Sequence, residues 1–392
     1  MNDQFLRGID EIIVAAEFEQ ALQADRPLRI KLGVDPSSPD IHLGHAVVLR
    51  KLRWLQDRGH TIIFLIGDYT AKIGDPSGKK KTRPVLTDHE IAANAKTYLE
   101  QVGAILDIDK AEVRYNSEWL AKLSFAELLE LAGQFTVAQI IEREDFKNRL
   151  SEGADIALHE LLYPLMQAYD SVMLKADVEF GGTDQRFNLL AGRALQKKLG
   201  QEAQAVVMCK LLVGTDGTQK MSKSLDNYIG ITDAPADMFG KVMSVPDELI
   251  AAYYRLCTEI PEEAVEAAVT DIAAGANPRD TKASLAREIV RIYHGEAAAT
   301  AAEQAFNQQF RDKQHPDDMD EETLTKRRWD PIELLVGLKL AESNGAARRL
   351  IEQGGVRLND AKIDAAELEL ATGDVVQVGK RRFIKIRIKG NG

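Results

Sequence analysis

The stretch LRIKLGVDPSSPDIHLGHAVVLRKLRWLQDRGHTIIFLI, residues 28–66, decides the fold. Its first part, Leu28 to Val34, alternates around β-prone residues. Its last part, Thr61 to Ile66, is a continuous β-branched and aromatic run, the pattern of a strand buried on both faces. Between them Ala46, Val47, Leu49, Leu52, Trp54 and Leu55 keep roughly helical spacing, and Gly59 follows as a C-cap. Strand, helix and strand in this order predict a right-handed βαβ crossover, the unit of a Rossmann-like, doubly wound parallel sheet. Ligands of such a sheet sit where the strands end, which singles out the turn after Val34.

Outward from this unit, Ser124 to Met173 reads as a run of helices, Val178 to Phe180 and Ala205 to Val213 as strands, and Asp247 to Phe310 as helices again. Arg311 to Arg328 is charged and has no apolar period, which predicts a linker. After it come a helical piece, Asn344 to Gln353, the pair Gly354-Gly355, and short strands Val356 to Leu358, Val375 to Val378 and Phe383 to Ile388. The expected organisation is an α/β domain over 1–230 with an inserted helical segment at about 124–160, an α-helical domain and linker over 231–328, and a small α+β module over 329–392.

The chain has 392 residues and a formal net charge of -11, a balance that argues against a surface built for nonspecific nucleic-acid binding. The charge is uneven. Pro331 to Gly392 carries 11 Lys/Arg against 8 Asp/Glu, a net +3 that leaves the remainder at -14. A mildly basic tail on an acidic body suits one localised RNA contact. Met1 to Lys31 mixes acidic residues into its apolar stretches and so lacks the form of an export signal, and charges interrupt every candidate membrane span; a cytoplasmic protein with no membrane partner is expected. Cys209 and Cys257 stand far apart without a ligand ladder, which predicts two buried thiols and no protein-held metal.

Two constellations carry chemistry. Asp35-Pro36-Ser37-Ser38-Pro39-Asp40-Ile41-His42-Leu43-Gly44-His45 lies between strand and helix, where imidazoles three residues apart add N–H donors to those of a helix N-terminus and Gly44 lets a flat base approach. Taken alone, the two histidines are equally compatible with capped or solvated rings. The second is Lys220-Met221-Ser222-Lys223-Ser224, behind the turn-rich Gly214-Thr215-Asp216-Gly217. Two ammonium groups on a loop can follow charge that grows on phosphates, although the bland reading is a solvated lysine turn. Both motifs in this order on one βαβ frame are much less easily explained by chance.

These segments resemble the HIGH and KMSKS signatures of class I aminoacyl-tRNA synthetases, written here as His42-Leu43-Gly44-His45 and Lys220 to Ser224. Three further segments narrow the resemblance to the tyrosyl-tRNA synthetases: Gly74-Asp75-Pro76-Ser77-Gly78 with Lys79 and Arg83; Tyr163, Gln167 and Asp170; and Gly182-Thr183-Asp184-Gln185. The terminal module is similar to the small αL RNA-binding module of a ribosomal protein and of pseudouridine synthases. The likeness covers nearly the whole chain.

The resemblance implies an enzyme that activates L-tyrosine with ATP as tyrosyl-adenylate and transfers it to the 3′ end of tRNA(Tyr). It implies that Asp35, Thr70, Tyr163 and Gln167 hold the ammonium group, that Asp75 and Gln185 complete the tyrosine pocket, and that Asp170 accepts a hydrogen bond from the phenol. An acceptor-only carboxylate would be left desolvated and unpaired by phenylalanine. By the same likeness His42, Gly44, His45, Lys79, Arg83, Asp184, Lys220 and Lys223 meet ATP, with His42, His45, Lys220 and Lys223 as the catalytic set. Mg2+ accompanies ATP, held by phosphate oxygens and water. No covalent nucleophile is needed, since the attacking carboxylate is already ionised.

One position departs from a branch of the family. Where that branch has a tyrosine two residues before the glycine, this chain has Lys31 before Gly33; the phenol is then held differently here or by Asp170 alone, and Lys31 could instead be a structural ion-pair partner. The segment Phe125 to Leu150 resembles the homodimer-forming segment of the family, though an internal core helix gives the same pattern. Arg279, Lys282, Arg287, Arg291 and His294 recur along one helix and could meet an anticodon stem. Arg348, Arg349, Arg357, Lys380, Arg381 and Arg382 are the candidate RNA contacts of the terminal module. The competing readings are a tryptophanyl-tRNA synthetase, a non-catalytic RNA-binding protein of synthetase shape, and a nucleotidyltransferase that never meets RNA.

Overall fold

The computed structural model describes residues 1–36, 40–76, 86–312, 319–359, 361–363, 367–379 and 382–389, without the side chains of 309–312. The chain forms two compact units, Met1–Glu303 and Gln304–Gly392.

The first unit is built on six strands: β1 (Ile9–Ile13), β2 (Arg29–Val34), β3 (Thr61–Ile66), β4 (Glu112–Tyr115), β5 (Val178–Gly182) and β6 (Ala205–Cys209). Their order is β1-β6-β5-β2-β3-β4, with β1 antiparallel to β6 and every other neighbouring pair parallel. From β2 the chain steps one way through β3 to β4, then returns to the other side of β2 to add β5 and β6. The order therefore reverses between β2 and β5, which opens a crevice beyond the carboxyl ends of those two strands.

Ile62 to Ile66 of β3 are all buried, as the unbroken apolar run predicts, and each such side chain contributes roughly 1.5–3 kcal/mol by leaving water. The Leu43–Gln56 helix covers the sheet with Leu43, Ala46, Val47, Leu49, Leu52 and Leu55. Trp54 is only half-buried, held between the Phe5 ring and the Arg58 guanidinium. Gly59 has φ +86°, so it turns the chain back toward β3 in a conformation that a side chain would strain. Cys209 and Cys257 are buried and free, as expected. Among the described residues no helix is long and apolar enough to cross a membrane.

The segment 124–160 is broken into three short helices, Phe125–Ala132, Val137–Ile141 and Glu144–Ser151. It buries Ile140, Phe146 and an Arg149–Glu160 ion pair, yet leaves Phe125, Leu129, Val137, Leu150 and Leu158 at least half exposed. Four more helices, Pro235–Ser244, Ile250–Cys257, Glu262–Ala273 and Pro278–His294, belong to the same unit as the sheet. Arg7 reaches into them, donating to the Tyr254 carbonyl at 2.8 Å, and Arg50 of the sheet-covering helix donates to the carbonyl of Cys257.

The second unit carries β7 (Asp320–Leu324), β8 (Arg328–Trp329), β9 (Val356–Leu358), β10 (Ala361–Lys362), β11 (Leu368–Glu369), β12 (Val375–Val378) and β13 (Arg382–Ile388). Five form a sheet ordered β10-β9-β12-β13-β7, and β8 pairs with β11. The helices Pro331–Gly337 and Asn344–Glu352 supply Leu334, Leu335 and Ala347 to a core shared with Val356, Val376, Val378 and Ile386. Two expectations are corrected. Arg311 to Arg328 is not wholly a linker, because β7 and the start of β8 lie in it. Asp320-Glu321-Glu322-Thr323-Leu324 is polar and outside-facing, so its strand character comes from backbone pairing with β13 and leaves no apolar period to read. The strand expected over Ala205 to Val213 stops at Cys209.

Candidate active site

A cavity of about 560 Å³ opens at the crevice between β2 and β5. It is lined by Asp35, His42, Gly44, His45, Thr70, Asp75, Tyr163, Gln167, Asp170, Asp184, Gln185, Lys220 and Lys223, the described members of the expected tyrosine and ATP sets. Lys79 and Arg83 lie outside the described residues.

Asp35 follows β2 directly. One of its carboxylate oxygens accepts from the Thr70 hydroxyl at 2.7 Å and the other from the Tyr163 hydroxyl at 2.8 Å. Burial, and then Asp35 itself, raises the Tyr163 phenol well above its ordinary value, so it keeps the proton it donates. Gly67 permits this arrangement, since a Cβ there would stand 2.1 Å from the Asp35 carboxylate and 2.4 Å from the Thr70 hydroxyl. Across the cavity Gln185, just beyond β5, donates to Asp75 at 2.6 Å and accepts from Asn188 at 3.0 Å, and Asn188 accepts from the buried Arg143 at 2.8 Å.

Asp170 sits on the Tyr163–Leu174 helix and is buried. Its carboxylate accepts from the Trp119 indole N–H at 2.7 Å and from the Asn116 amide at 3.3 Å, which leaves acceptor capacity for another donor. Burial pushes this carboxyl up to about 7, against the opposing pull of Lys31 and of the Trp119 and Asn116 hydrogen bonds. Lys31 itself is ion-paired with Glu179 at 2.8 Å, both side chains fully enclosed, so it is the ion-pair partner that the sequence left open.

At the mouth of the cavity His42 caps the Leu43–Gln56 helix, and its ring stacks on His45 with centroids 3.9 Å apart. The His42 backbone N–H donates to His45 Nδ1 at 3.3 Å, which leaves Nε2 as the protonated nitrogen of a neutral ring. Burial, His45 and Lys220 push the His42 imidazole down to about 2, and burial and Lys220 push His45 down to about 4. Both rings therefore offer neutral N–H groups at neutral pH.

Backbone bonds from Leu43 to Ile229 and from Ile231 to Ile41 tie this segment to the chain that follows the lysine loop. The loop is pinned by Asn227, whose side chain accepts from Ser222 N–H at 2.7 Å and donates to Asp216 and to the Lys220 carbonyl. Lys220 donates to Asp184 at 2.5 Å, and Lys223 donates to Asp40.

Several of these residues carry no sequence signature. Asn116, Trp119, Arg143, Glu179 and Asn188 come from separate elements that only the strand order brings together. Asp40 and Asn227 stand beside the two motifs, and that nearness is the one signal the sequence offers for them. On the Pro278–His294 helix, Arg279, Lys282, Arg287 and Arg291 each meet a carboxylate, respectively Asp280, Asp247, Glu296 and Glu288. In the second unit Arg348, Arg349, Arg357 and Arg382 are exposed, while Lys380 and Arg381 lie outside the described residues.

Residues 23–311 match the family described as class I tRNA synthetases for tryptophan and tyrosine. The chain is similar to the tyrosine-tRNA ligase of Bordetella bronchiseptica, 51% identical over 389 residues that make up 98% of this chain and 95% of that one. It is similar also to the tyrosine-tRNA ligase of Shewanella oneidensis, 52% identical over 97% of each chain. Among solved structures it resembles the Archaeoglobus fulgidus tyrosyl-tRNA synthetase complexed with L-tyrosine, with 25% identity, a TM-score of 0.61, and coverage of 76% of this chain and 98% of that one. The Aeropyrum pernix tyrosyl-tRNA synthetase, at 21% identity and TM-score 0.62 over 78% of this chain and 98% of that one, shares the fold.

Proposed function

The chain belongs to the class I tRNA synthetases for tryptophan and tyrosine, and on that premise we propose how its cavity serves the reaction. The enzyme is a tyrosine-tRNA ligase: tyrosine and ATP give tyrosyl-adenylate and pyrophosphate, and the tyrosyl group passes to tRNA. Asp35, oriented by Thr70 and Tyr163, receives the substrate ammonium with Gln167, while Asp75 and Gln185 border the amino-acid end. Asp170 receives the phenol O–H on an acceptor site that Trp119 and Asn116 leave open. The observation that carries this assignment is that buried carboxylate, aimed into the same cavity whose mouth bears the two histidines and two lysines.

The substrate carboxylate attacks the α-phosphorus of ATP, the bond to the bridging oxygen breaks, and pyrophosphate departs with the electron pair. Neutral His42 and His45 donate N–H groups to phosphate oxygens, and Lys220 and Lys223 follow the charge that moves onto pyrophosphate. Each lysine must leave a carboxylate to do so, and Asp184, freed of Lys220, is then available to the ribose. Lys79 and Arg83 complete the phosphate contacts by resemblance. Mg2+ would arrive with ATP, held by phosphate oxygens and water, and would neutralise phosphate charge beside Lys220 and Lys223.

The exposed apolar side chains of the 124–160 segment support a homodimer through that face. The helices of 235–294 serve the tRNA stem, and Arg348, Arg349, Arg357 and Arg382 of the second unit contact RNA phosphates, in a cytoplasmic enzyme. Amino-acid-dependent exchange of pyrophosphate into ATP, run with tyrosine, tryptophan and phenylalanine in parallel and followed by charging of tRNA, tests the reading. Exchange with tryptophan but not tyrosine, or no exchange with any, overturns it.

A further inference from the structure

Lys31 lies in β2 with no exposed surface, and it lines the same cavity as Asp170 and Gln167. The three protons of its ammonium are all placed: on Glu179 at 2.8 Å, on the Ser171 hydroxyl at 2.9 Å and on the Gln167 carbonyl at 3.2 Å. Glu179, on β5, accepts in addition from Ser171 Oγ at 2.9 Å, from Gln167 Nε2 at 3.4 Å and from Gln204. Gln167, Asp170 and Ser171 share the helix Tyr163–Leu174, so the pair grips that helix by a backbone carbonyl, a hydroxyl and an amide at once.

We propose that Lys31 is a positioning residue for amino-acid selection: through Glu179 it fixes the helix bearing Tyr163, Gln167 and Asp170 against β5, and it supplies the positive charge beside the phenol-binding carboxylate. This rests on reading the cavity as the tyrosine site. A merely structural part explains the pair poorly, because a buried ion pair contributes little more than apolar residues of the same volume would.

Among the described residues, the groups that act on Asp170 come from four parts of the fold. Lys31 comes from β2, Glu179 from β5, the Trp119 N–H and Asn116 amide from the segment after β4, and the Tyr163 phenol from the same helix. Lys31 is the largest influence opposing the burial that pushes Asp170 up, and Glu179 adds to that push. Without Lys31 the carboxylate that must accept the phenol O–H is protonated over a wider pH range.

The test measures kcat/KM for tyrosine and for phenylalanine in pyrophosphate exchange, from about pH 6 to about pH 9, on the full-length enzyme. It compares wild type with Lys31→Met and with the double variant Lys31→Met/Glu179→Gln. In Lys31→Met the acidic limb of the tyrosine profile should move up by about one pH unit, and the tyrosine-to-phenylalanine ratio should fall about tenfold. The double variant should fold, since no charge is left orphaned: the introduced amide can turn its nitrogen toward the introduced thioether while its oxygen keeps Ser171 and Gln204, and only the long 3.4 Å bond from Gln167 Nε2 is given up. Its acidic limb should lie nearer that of the wild type, because the losses of Lys31 and Glu179 act in opposite directions on Asp170, while its ratio stays reduced. A Lys31→Met enzyme with the parental profile and ratio overturns the proposal, even with a lowered melting temperature. If that variant does not fold, the double variant decides: an unchanged ratio, or failure to fold, counts against the role. Wild-type enzyme that shows no dependence on tyrosine would instead defeat the reading of the cavity.

Discussion

Replacing Tyr163 by phenylalanine removes one oxygen from the cavity wall and leaves its shape. The lost hydroxyl donates to one oxygen of Asp35 at 2.8 Å, while Thr70 keeps the other at 2.7 Å, so the carboxylate remains in place but loses one of the hydrogen bonds that orient it. A hydrogen bond to a charged group is worth about 1.5–3 kcal/mol, which is a factor of roughly 10–150 in an equilibrium constant. The substrate ammonium is bound alike before and during adenylate formation, so the loss belongs to uniform binding. KM for tyrosine should therefore rise by about that factor, with kcat in pyrophosphate exchange within about threefold of the parent and KM for ATP unchanged. Parallel circular dichroism confirms the fold. A variant that loses kcat at unchanged KM, or that binds tyrosine as well as the parent, would refute the assignment of Asp35 and Tyr163 to the ammonium.

Lys223→Ala should slow adenylate formation by about a hundredfold while tyrosine binding without ATP stays near normal, because its ammonium acts where phosphate charge grows; equal losses in both would contradict this. Tyrosine KM should rise as pH falls through about 7, where Asp170 takes up a proton, and an Asp170→Asn enzyme should lack that limb. The stability sign is opposite: with its folded value raised, the Asp170 carboxyl favours the fold at low pH and disfavours it increasingly as pH rises toward 7, so ligand-free Asp170→Asn should gain melting temperature relative to the parent at pH 8 more than at about pH 5. A chain ending at Asp312 should retain tyrosine-dependent exchange and lose most tRNA charging. Loss of both together would show the second unit to be a support of the fold. The cut falls there because β7 and β8 belong to the terminal sheets and would be stranded by a cut after Trp329.

The parts legible in the sequence are those whose cause is local. Leu28 to Val34, the Leu43–Gln56 helix and Thr61 to Ile66 announce themselves because apolar periodicity and burial coincide along one short segment. His42 to His45 and Lys220 to Ser224 are contiguous, so chemistry and spacing can be read together. β1 is hard to see as an edge strand whose Ile9-Asp10-Glu11-Ile12-Ile13 is only partly buried, and β7 as one with no apolar residue before Leu324. The partners of Asp170 are out of reach for a different reason. Lys31, Asn116, Trp119 and Glu179 are scattered along the chain, and only the reversal of strand order between β2 and β5 gathers them.

The resting contacts of Lys220 with Asp184 and of Lys223 with Asp40 bear on which anions the enzyme ignores. Each ammonium is already partnered by a partly exposed carboxylate, a pair worth at most about 1 kcal/mol, so an incoming anion must offset that modest contact to draw the lysine away. Chloride, or a lone inorganic phosphate in screened solution, brings too little charge to compete at both positions. A triphosphate presents several charges at once and can release both seats in a single exchange of partners. On the reading of this cavity as the ATP site, both lysines should therefore keep their carboxylates in common salts and change partners when a nucleotide arrives.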